Sequence, residues 1–316
     1  MIWLFKDADF PFLQHRHIGF AISAALILAT FVTIALRGGL RYSIDFTGGT
    51  LVQLEFEEAI ETQRLRDALG DMEGLESFEV QRFGDVSDVV IRAQVIPGEE
   101  EEFGQRIEDH LRASIQLEGR QFRSVRTEAV GPKIGEELKG QAVMAILYAM
   151  VLILIYVAIR FDLKFGIGAV AAVIHDVILS IGAFSFTDKE ISLAVVAAFL
   201  TVIGYSLNDT IVVFDRIRED LKAMRREPYE EVVNTAVNET LSRTVITSGT
   251  TMIVVLFLFF LGGEVIHDFA FALLVGVIVG TYSSIFVGSP LVVEYRNRIE
   301  EREEAPQEKK RAKART

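Results

Sequence analysis

Apolar positions along the chain are grouped into six long runs, which are residues 18–36 and about 140–159, 166–186, 191–214, 245–262 and 267–293. About 20 consecutive apolar residues can cross a hydrocarbon core of roughly 30 Å as a helix. The pattern therefore predicts a polytopic α-helical membrane protein with six transmembrane helices. The first run is longer than the apolar core of a signal peptide, and Arg37-Gly38-Gly39 follows it. It is therefore expected to be a retained anchor.

Residues 38–133 show shorter periods that are typical of a small water-exposed domain. Strands are predicted at residues 50–56, 76–83, 88–95 and 121–130, and helices at 61–72 and 99–117. Gly84-Asp85 is the predicted turn between the two central strands. The order β-α-β-β-α-β is that of a ferredoxin-like split βαβ unit, so we expect a small α+β domain between helices 1 and 2.

The distribution of charge predicts how the chain lies across the membrane. More than half of its 32 Lys and Arg residues fall at the termini and in the connectors 160–164 and 215–243, whereas the two short connectors opposite contain only Lys189. Positive charge concentrates in short cytoplasmic loops. Both termini are therefore expected in the cytoplasm and the small domain outside it. The expected segments are 1–37 (N-terminus and helix 1), 38–133 (domain), 134–300 (helices 2–6 with loop 215–243) and 301–316 (basic tail).

The amino-acid composition and the absence of known motifs exclude several classes of catalytic and binding site. The chain has no cysteine, which excludes disulfides and thiolate catalysis. The sequence has no phosphate-binding loop, zinc-ligand helix, nucleophile elbow or nucleic-acid-binding module. We therefore expect neither an enzyme nor a nucleic-acid binder, and no cofactor or bound metal.

Polar side chains inside the fourth apolar run are the first candidates for function. Ser206, Asn208, Asp209 and Thr210 interrupt it, and a carboxylate at the centre of a membrane helix costs roughly 2.5–3.5 kcal/mol on insertion scales. One hypothesis makes Asp209 a carrier of a proton or cation with Arg243 as its countercharge. The alternative is that Asp209 lies near the cytoplasmic end of its helix and Arg243 is an ordinary topological flank.

Other polar residues in the runs have weaker explanations. His175 and Asp176 lie about ten residues into the third run, near the middle of the bilayer, where they would relay protons or form interhelical hydrogen bonds. Asn208 and Thr247 are candidates for the same two roles. Gly276-x-x-x-Gly280 and Ser283-Ser284 are expected to be packing sites, because small residues allow close approach of helices.

Four motifs resemble those of the SecD/SecF family of protein-export membrane proteins, and specifically its SecF branch. The segment that contains Asp45, Phe46, Gly48 and Gly49, directly after helix 1, is similar to the family's entry motif near the outer membrane surface. Residues 130–135 resemble its second junction, 204–216 its fourth helix, and 238–244 the entrance to its fifth. These motifs extend over about residues 40 to 290.

The resemblance implies more than the composition does. It implies half of a transporter of the resistance-nodulation-division superfamily, in the inner membrane, that pairs with SecD to assist the SecYEG channel. YajC and YidC are further candidate partners. The proton gradient, or a sodium gradient in some relatives, would draw preproteins across after the ATP-driven stage. The residues implicated in ion coupling match Asp209 and Arg243.

Three other hypotheses remain open from the residues. One is a drug or lipid exporter of the same superfamily. Another is an intramembrane aspartyl protease that uses Asp176 and Asp209, which would require the two carboxylates to share a proton. The third is a structural scaffold, in which Asp209 titrates like an exposed acid.

Overall fold

The computed structural model describes residues 8–70, 72, 74–75, 77–83, 87–94, 100–115 and 121–298. The predicted turn Gly84-Asp85, the basic tail 301–316, Asp71 of the predicted helix 61–72, both ends of the predicted helix 99–117, and residues 1–7 lie outside this part of the chain. Two compact units divide the described residues. One is formed from Met1–Leu40, Ile146–Lys189 and Ala194–Thr316, and the other from Arg41–Ala145 and Glu190–Leu193.

The element order follows the predicted pattern closely. It is α1 (Arg16–Leu36), α2 (Ile44–Thr47), β1 (Gly49–Phe56), α3 (Thr62–Gly70), β2 (Ser77–Arg82), β3 (Asp88–Gln94), α4 (Glu100–Ile115), β4 (Phe122–Val130), α5 (Pro132–Arg160), α6 (Leu163–Thr187), α7 (Leu193–Ala223), α8 (Tyr229–Leu261) and α9 (Glu264–Ser283). A π-helical turn, Ser284–Gly288, follows α9, and the helix then continues to Arg298.

Six helices in the described part are long and apolar enough to cross a membrane: α1, α5, α6, α7, α8 and Ile266–Arg298. This confirms the predicted number of spans. Burial differs sharply among them, since 61% of the apolar window of α6 is buried but only 6% of that of α5. The polar side chains of His175, Asp176, Ser180 and Ser185 on α6 are buried, whereas α5 presents most of its apolar surface outward.

The smaller unit confirms the predicted ferredoxin-like order. Its four strands form an antiparallel sheet in the order β2-β3-β1-β4, with β1 between β3 and β4. One face of the sheet is buried because it packs against α3 and α4. The core between them is apolar and includes Leu54, Leu65, Ile91, Phe103 and Ile107.

Most of the connector 215–243 is helical. The charged amphipathic pattern of residues 215–220 predicts that the fourth helix continues beyond its apolar run, and the structure confirms this because α7 extends to Ala223. The start of α8 at Tyr229, directly after Pro228, was not predicted. The charged residues alternate with apolar ones, so Ile217, Val233 and Val237 join one buried cluster. Amphipathic patterning extends both helices beyond the apolar runs. Similarly, α5 begins at Pro132, which proline favours as a first helical residue, well before the predicted 140.

The segment before α1 packs on this extension of α8. The side-chain amide of Asn238 accepts a hydrogen bond from Phe10 N at 2.8 Å and donates one to Phe10 O at 2.9 Å. Leu13 is buried in the same apolar cluster, and Arg16 pairs with Glu230 and Glu294 at 2.9 Å. Asn238 therefore holds the backbone of this segment through both of its polar groups.

The predicted small-residue motif on α9 is a close-packing site against α7. A Cβ atom added to Gly276 would lie 2.1 Å from a methyl carbon of Val202, and one added to Gly280 would lie 3.0 Å from Cβ of Ser206. Glycine at these positions allows α9 to approach α7 closely, and Ser206 on α7 and Ser283 on α9 bond to the same carboxylate oxygen of Asp176.

Candidate functional site

Asp209 is buried inside the larger unit, with 4% of its surface exposed. It lies on α7, and its carboxylate accepts a hydrogen bond from Ser248 Oγ on α8 at 3.4 Å. Ser248 Oγ is in turn 2.7 Å from Thr281 Oγ1 on α9. At 3.4 Å the bond to the carboxylate is long, so Asp209 is buried with weak hydrogen-bond support.

Arg243 lies shortly before Ser248 on α8 and is exposed. Its positive charge acts on the Asp209 carboxylate. The interaction is electrostatic, because a direct hydrogen bond between Arg243 and Asp209 is not among those that the described residues form. The structure thus brings the two predicted ion-coupling residues into one electrostatic site but leaves them out of direct contact.

A second, more extensively bonded site surrounds Asp176 on α6, which is 1% exposed. Its carboxylate accepts hydrogen bonds from Ser206 Oγ on α7 at 2.5 Å and from Ser283 Oγ on α9 at 2.7 Å. His175 Nδ1 lies 2.8 Å from its other oxygen. Asp176 therefore joins three helices through short polar contacts.

His175 extends this second site to α1. Its Nε2 lies 3.1 Å from Ser23 Oγ, which lies 3.2 Å from the hydroxyl of Tyr282. That hydroxyl donates to Gly19 O at 2.8 Å. The rings of Tyr282 and His175 stack with their centroids 5.9 Å apart. The π-helical turn begins directly after Tyr282 and Ser283, and such turns are frequent at functional sites.

Two further candidates do not join either site in this structure. Asn208 is exposed on α7 although its neighbour Asp209 is buried. Thr247 Oγ1 donates to the carbonyl oxygens of Arg243 and Thr244 on its own helix, at 2.9 and 3.0 Å. Neither side chain forms an interhelical hydrogen bond within the part of the chain that the structure describes.

Asp176 and Asp209 have different hydrogen-bond partners. The first accepts from Ser206 and Ser283, and the second from Ser248. A proton shared between the two carboxylates, as an aspartyl protease requires, is not part of the hydrogen bonding of the described residues. These residues also contain no group of three or more His, Asp or Glu that could hold a metal ion.

The sequence did not single out Ser23 or Tyr282, and it assigned Ser283 to packing. A hydroxyl in an apolar run is a weak signal, because it can bond to its own helix, as Thr33 does with Ala29 O at 2.8 Å. Ser23 differs because it is 6% exposed and faces α6. Only the helix packing distinguishes these two cases.

The entry motif has a structural explanation within the smaller unit. Asp45 lies on α2, and its carboxylate accepts a hydrogen bond from the backbone N–H of Leu193, the first residue of α7, at 2.8 Å. This caps a helix start, where free N–H groups need an acceptor. Phe46 is buried and packs edge-on against Tyr42, with ring centroids 5.9 Å apart.

Gly48 of this motif packs closely against the backbone at the start of α5, and both glycines have a positive φ. Gly48 has φ +73°, and a Cβ atom added to it would lie 2.6 Å from Cα of Pro132. Gly49 has φ +119°. On the other side of the contact, a Cβ atom on Gly135 would lie 2.9 Å from the backbone of Phe46. The two motifs at residues 42–50 and 130–135 are therefore the two sides of one backbone-to-backbone contact.

Comparisons with known proteins agree with these motifs. Residues 111–298 match the family model "Protein export membrane protein SecD/SecF, C-terminal", and residues 38–60 match the "SecD/SecF GG Motif". The second match contains Gly48 and Gly49, and the first contains Asp209 and Arg243 as well as His175 and Asp176.

Relatives along nearly the whole chain carry the same description. The chain is 47% identical over 292 residues to the protein translocase subunit SecF of Desulfurispirillum indicum, covering 91% of this chain and 92% of that protein. It is 48% identical over 291 residues to the SecF subunit of Magnetococcus marinus, with coverage of 91% and 92%.

A longer relative contains an equivalent of this chain as one part. The chain is 44% identical over 307 residues to the protein translocase subunit SecDF of Thermus thermophilus, covering 94% of this chain but 40% of that protein. The crystal structure of a translocon-associated SecDF from Thermus superposes with a TM-score of 0.82 at 41% identity, again over 94% of this chain and 40% of that chain. The chain thus belongs to the SecD/SecF family of protein export membrane proteins and resembles its SecF translocase subunits over almost its full length.

Proposed function

We propose that this chain is the SecF-type half of a SecD–SecF complex that uses the proton gradient to drive late steps of preprotein export through the SecYEG channel. In this proposal it lies in the inner membrane with both termini in the cytoplasm. A proton is the coupling ion, and a sodium ion is the alternative. YajC and YidC are further candidate partners by family resemblance.

The buried carboxylate of Asp209 is the observation that carries the proposal. An ionised carboxylate buried among apolar helices costs several kcal/mol unless charges and hydrogen bonds compensate it. Here the compensation is one 3.4 Å hydrogen bond from Ser248 and the more distant charge of Arg243. A group held this weakly has little structural value, and a movement of Arg243 relative to it would change how strongly the ionised form is stabilised.

The need for a second subunit is supported by exposed polar and small residues on α7 and α8. Thr201, Gly204 and Asn208 form one exposed stripe on α7, and Arg243 is exposed on α8. A cation and an amide inside membrane-spanning helices are costly against lipid and normally face protein or a water-filled cavity. In this proposal the SecD-type half packs on this surface. The single-chain SecDF relative is more than twice as long as this chain, so it contains additional sequence that could supply that half.

The proposed cycle follows from the charges. Protonation of Asp209 removes the attraction between its carboxylate and Arg243, which allows α8 to move relative to α7. Loss of the proton to the cytoplasm restores the attraction and reverses the movement. Each proton that crosses 100 mV supplies about 2.3 kcal/mol for this change.

Co-purification and reconstitution test the proposal. The chain should purify with a SecD-type subunit, and the complex should increase gradient-dependent preprotein export by vesicles that contain the channel. Export that is the same with and without the complex would contradict it. Protection of cells from toxic compounds, without accumulation of uncleaved preprotein when the chain is depleted, would favour the drug or lipid exporter.

A further inference from the structure

The contacts around His175 and Asp176 favour one number of protons on this buried pair. Both residues are almost completely buried, with 4% and 1% of their surfaces exposed. They lie near the middle of α6. The chain of contacts runs from Gly19 O through Tyr282, Ser23 and His175 to Asp176, so each hydrogen atom in it can be assigned in turn.

The assignment begins at Gly19 O, where only one direction of the hydrogen bond is possible. Gly19 O can only accept, so the Tyr282 hydroxyl donates to it at 2.8 Å. The Tyr282 oxygen is then free to accept from Ser23 Oγ, 3.2 Å away. With its hydrogen directed to Tyr282, Ser23 can only accept from His175 Nε2, at 3.1 Å. All three bonds form together only when Nε2 carries a hydrogen.

The other side of the imidazole requires a second proton. His175 Nδ1 lies 2.8 Å from Asp176 Oδ1, so a hydrogen lies between them. It belongs to Nδ1 if the pair is imidazolium and carboxylate, or to Oδ1 if it is imidazole and carboxylic acid. Both forms carry two protons in total and are electrically neutral, which is the state that a site of low dielectric constant favours.

We infer that His175 and Asp176 form a second proton-binding site of the membrane unit, which holds one exchangeable proton on His175 Nε2. Release of that proton to water leaves an imidazole and a carboxylate with a net charge of −1. The Ser23 hydroxyl then rotates away from Tyr282 and donates to the bare Nε2. Ser23 thus supports both protonation states, and the bond to Tyr282 favours the protonated one.

The His175–Asp176 pair shares helices α7 and α9 with the site of Asp209. Ser206, which bonds to Asp176, is three residues before Asp209 on α7, a rise of about 4.5 Å. Ser283 and Thr281 contact the two sites from α9. The titratable groups around the pair are Tyr282 on α9 and Asp209 on α7. A negative charge on the pair and one on Asp209 oppose each other, so loss of the proton from His175 would favour protonation of Asp209. This coupling rests on the proposed role of Asp209, whereas the proton count does not.

Nitrogen-15 NMR of histidine-labelled complex in lipid bilayers tests directly whether Nε2 carries the proposed proton. The chain has five histidines, and the His175 signal is assigned with His175→Asn. If that variant does not fold, it is assigned by elimination through replacement of His15, His17, His110 and His267. The expected result at neutral pH is a protonated Nε2. An unprotonated Nε2 at that pH would overturn the inference.

A conservative variant tests the role of the hydroxyl chain. Tyr282→Phe keeps the ring but removes the acceptor for Ser23, so Ser23 turns to Nε2 and the protonated fraction of His175 should fall. Proton flux through the reconstituted complex should fall by about tenfold, which is a change of about 1.4 kcal/mol in a barrier. Tyr148→Phe, on the exposed face of α5, is the matched control and should change neither quantity.

The proposed function and the second proton-binding site can be refuted independently of each other. If His175 has the expected proton but Asp209→Asn leaves gradient-driven export unchanged, the proposed function fails and the second site stands. If Asp209→Asn abolishes that export but Nε2 carries no proton, or if Tyr282→Phe alters neither the His175 signal nor the flux, the second site is refuted.

Discussion

Replacing Asp209 with asparagine removes a charge from the interior of the membrane unit and preserves the shape of the side chain. The amide oxygen of asparagine can still accept the hydrogen bond from Ser248. If the charge of Asp209 is its function, the Asp209→Asn variant should assemble normally with its SecD-type partner and lose coupling to the proton gradient. If Asp209 is a structural residue, the variant should instead be less stable and remain coupled.

The structure sets the expected magnitudes. The bond from Ser248 to Asp209 is 3.4 Å long, and a typical hydrogen bond contributes only about 0.5–1.5 kcal/mol to folding. The free energy of unfolding should therefore change by no more than about 1 kcal/mol. The free energy lost from coupling should be larger, because one proton per 100 mV supplies about 2.3 kcal/mol. Because about 1.36 kcal/mol corresponds to a tenfold change in an equilibrium constant, this is a factor of about fifty in the ratio of the two conformations.

The assay compares preprotein export and proton flux in the same reconstituted vesicles, with and without a proton gradient. In the Asp209→Asn complex, export with the gradient should fall to the level without it, while ATP-driven export is unchanged. Asp215→Asn is the matched control, since Asp215 lies on the same helix, is substantially exposed and pairs with Arg160 at 3.6 Å. It should export like the unaltered protein.

Gradient stimulation and proton flux that persist in a fully assembled Asp209→Asn complex would refute the coupling role. A loss of both in the Asp215→Asn control would also refute it, because the effect would then follow from any change in the charge of α7. A complex that fails to assemble would indicate that Asp209 has the structural role.

Three further predictions concern the packing that supports the site. Gly48→Ala should destabilise the smaller unit by about 2 kcal/mol or more, because it adds a methyl 2.6 Å from the backbone of α5 at a φ of +73°. Gly38→Ala has a similar φ and open space, so an equal loss of thermal stability in both would contradict this contact. Gly276→Ala should lower the melting temperature, at a cost of about 1–3 kcal/mol from overpacking against α7. Gly249→Ala, with nothing within 4 Å, should be neutral or stabilising by up to about 1 kcal/mol, and the reverse order would refute the packing argument. Asn238→Ala should loosen the segment before α1 and accelerate its proteolysis, because the two hydrogen bonds from Asn238 to that backbone are lost, whereas those of Asn234 remain. An unchanged rate would contradict this role of Asn238.

Local patterns were sufficient to predict most of the fold. Long apolar runs specify membrane helices wherever they occur, because lipid satisfies no backbone polar group and a helix satisfies its own. The periods of residues 38–133 likewise predicted the β-α-β-β-α-β order that the sheet confirms. The start of α8 was predicted less well, because an amphipathic helix that continues into water is less apolar than the membrane span from which it extends.

The sequence by itself also selected Asp209, since a carboxylate in an apolar run is costly wherever the helix packs. It could not determine which polar residues meet. Asn208 and Asp209 are adjacent in sequence, yet one is exposed and the other buried, because each residue advances about 100° around a helix. His175 and Asp176 were equally consistent with a proton relay or interhelical bonds, until packing placed Ser23, Ser206 and Ser283 around them. Helix rotation is fixed by contacts between segments far apart in the chain, and these contacts arise only in the tertiary structure.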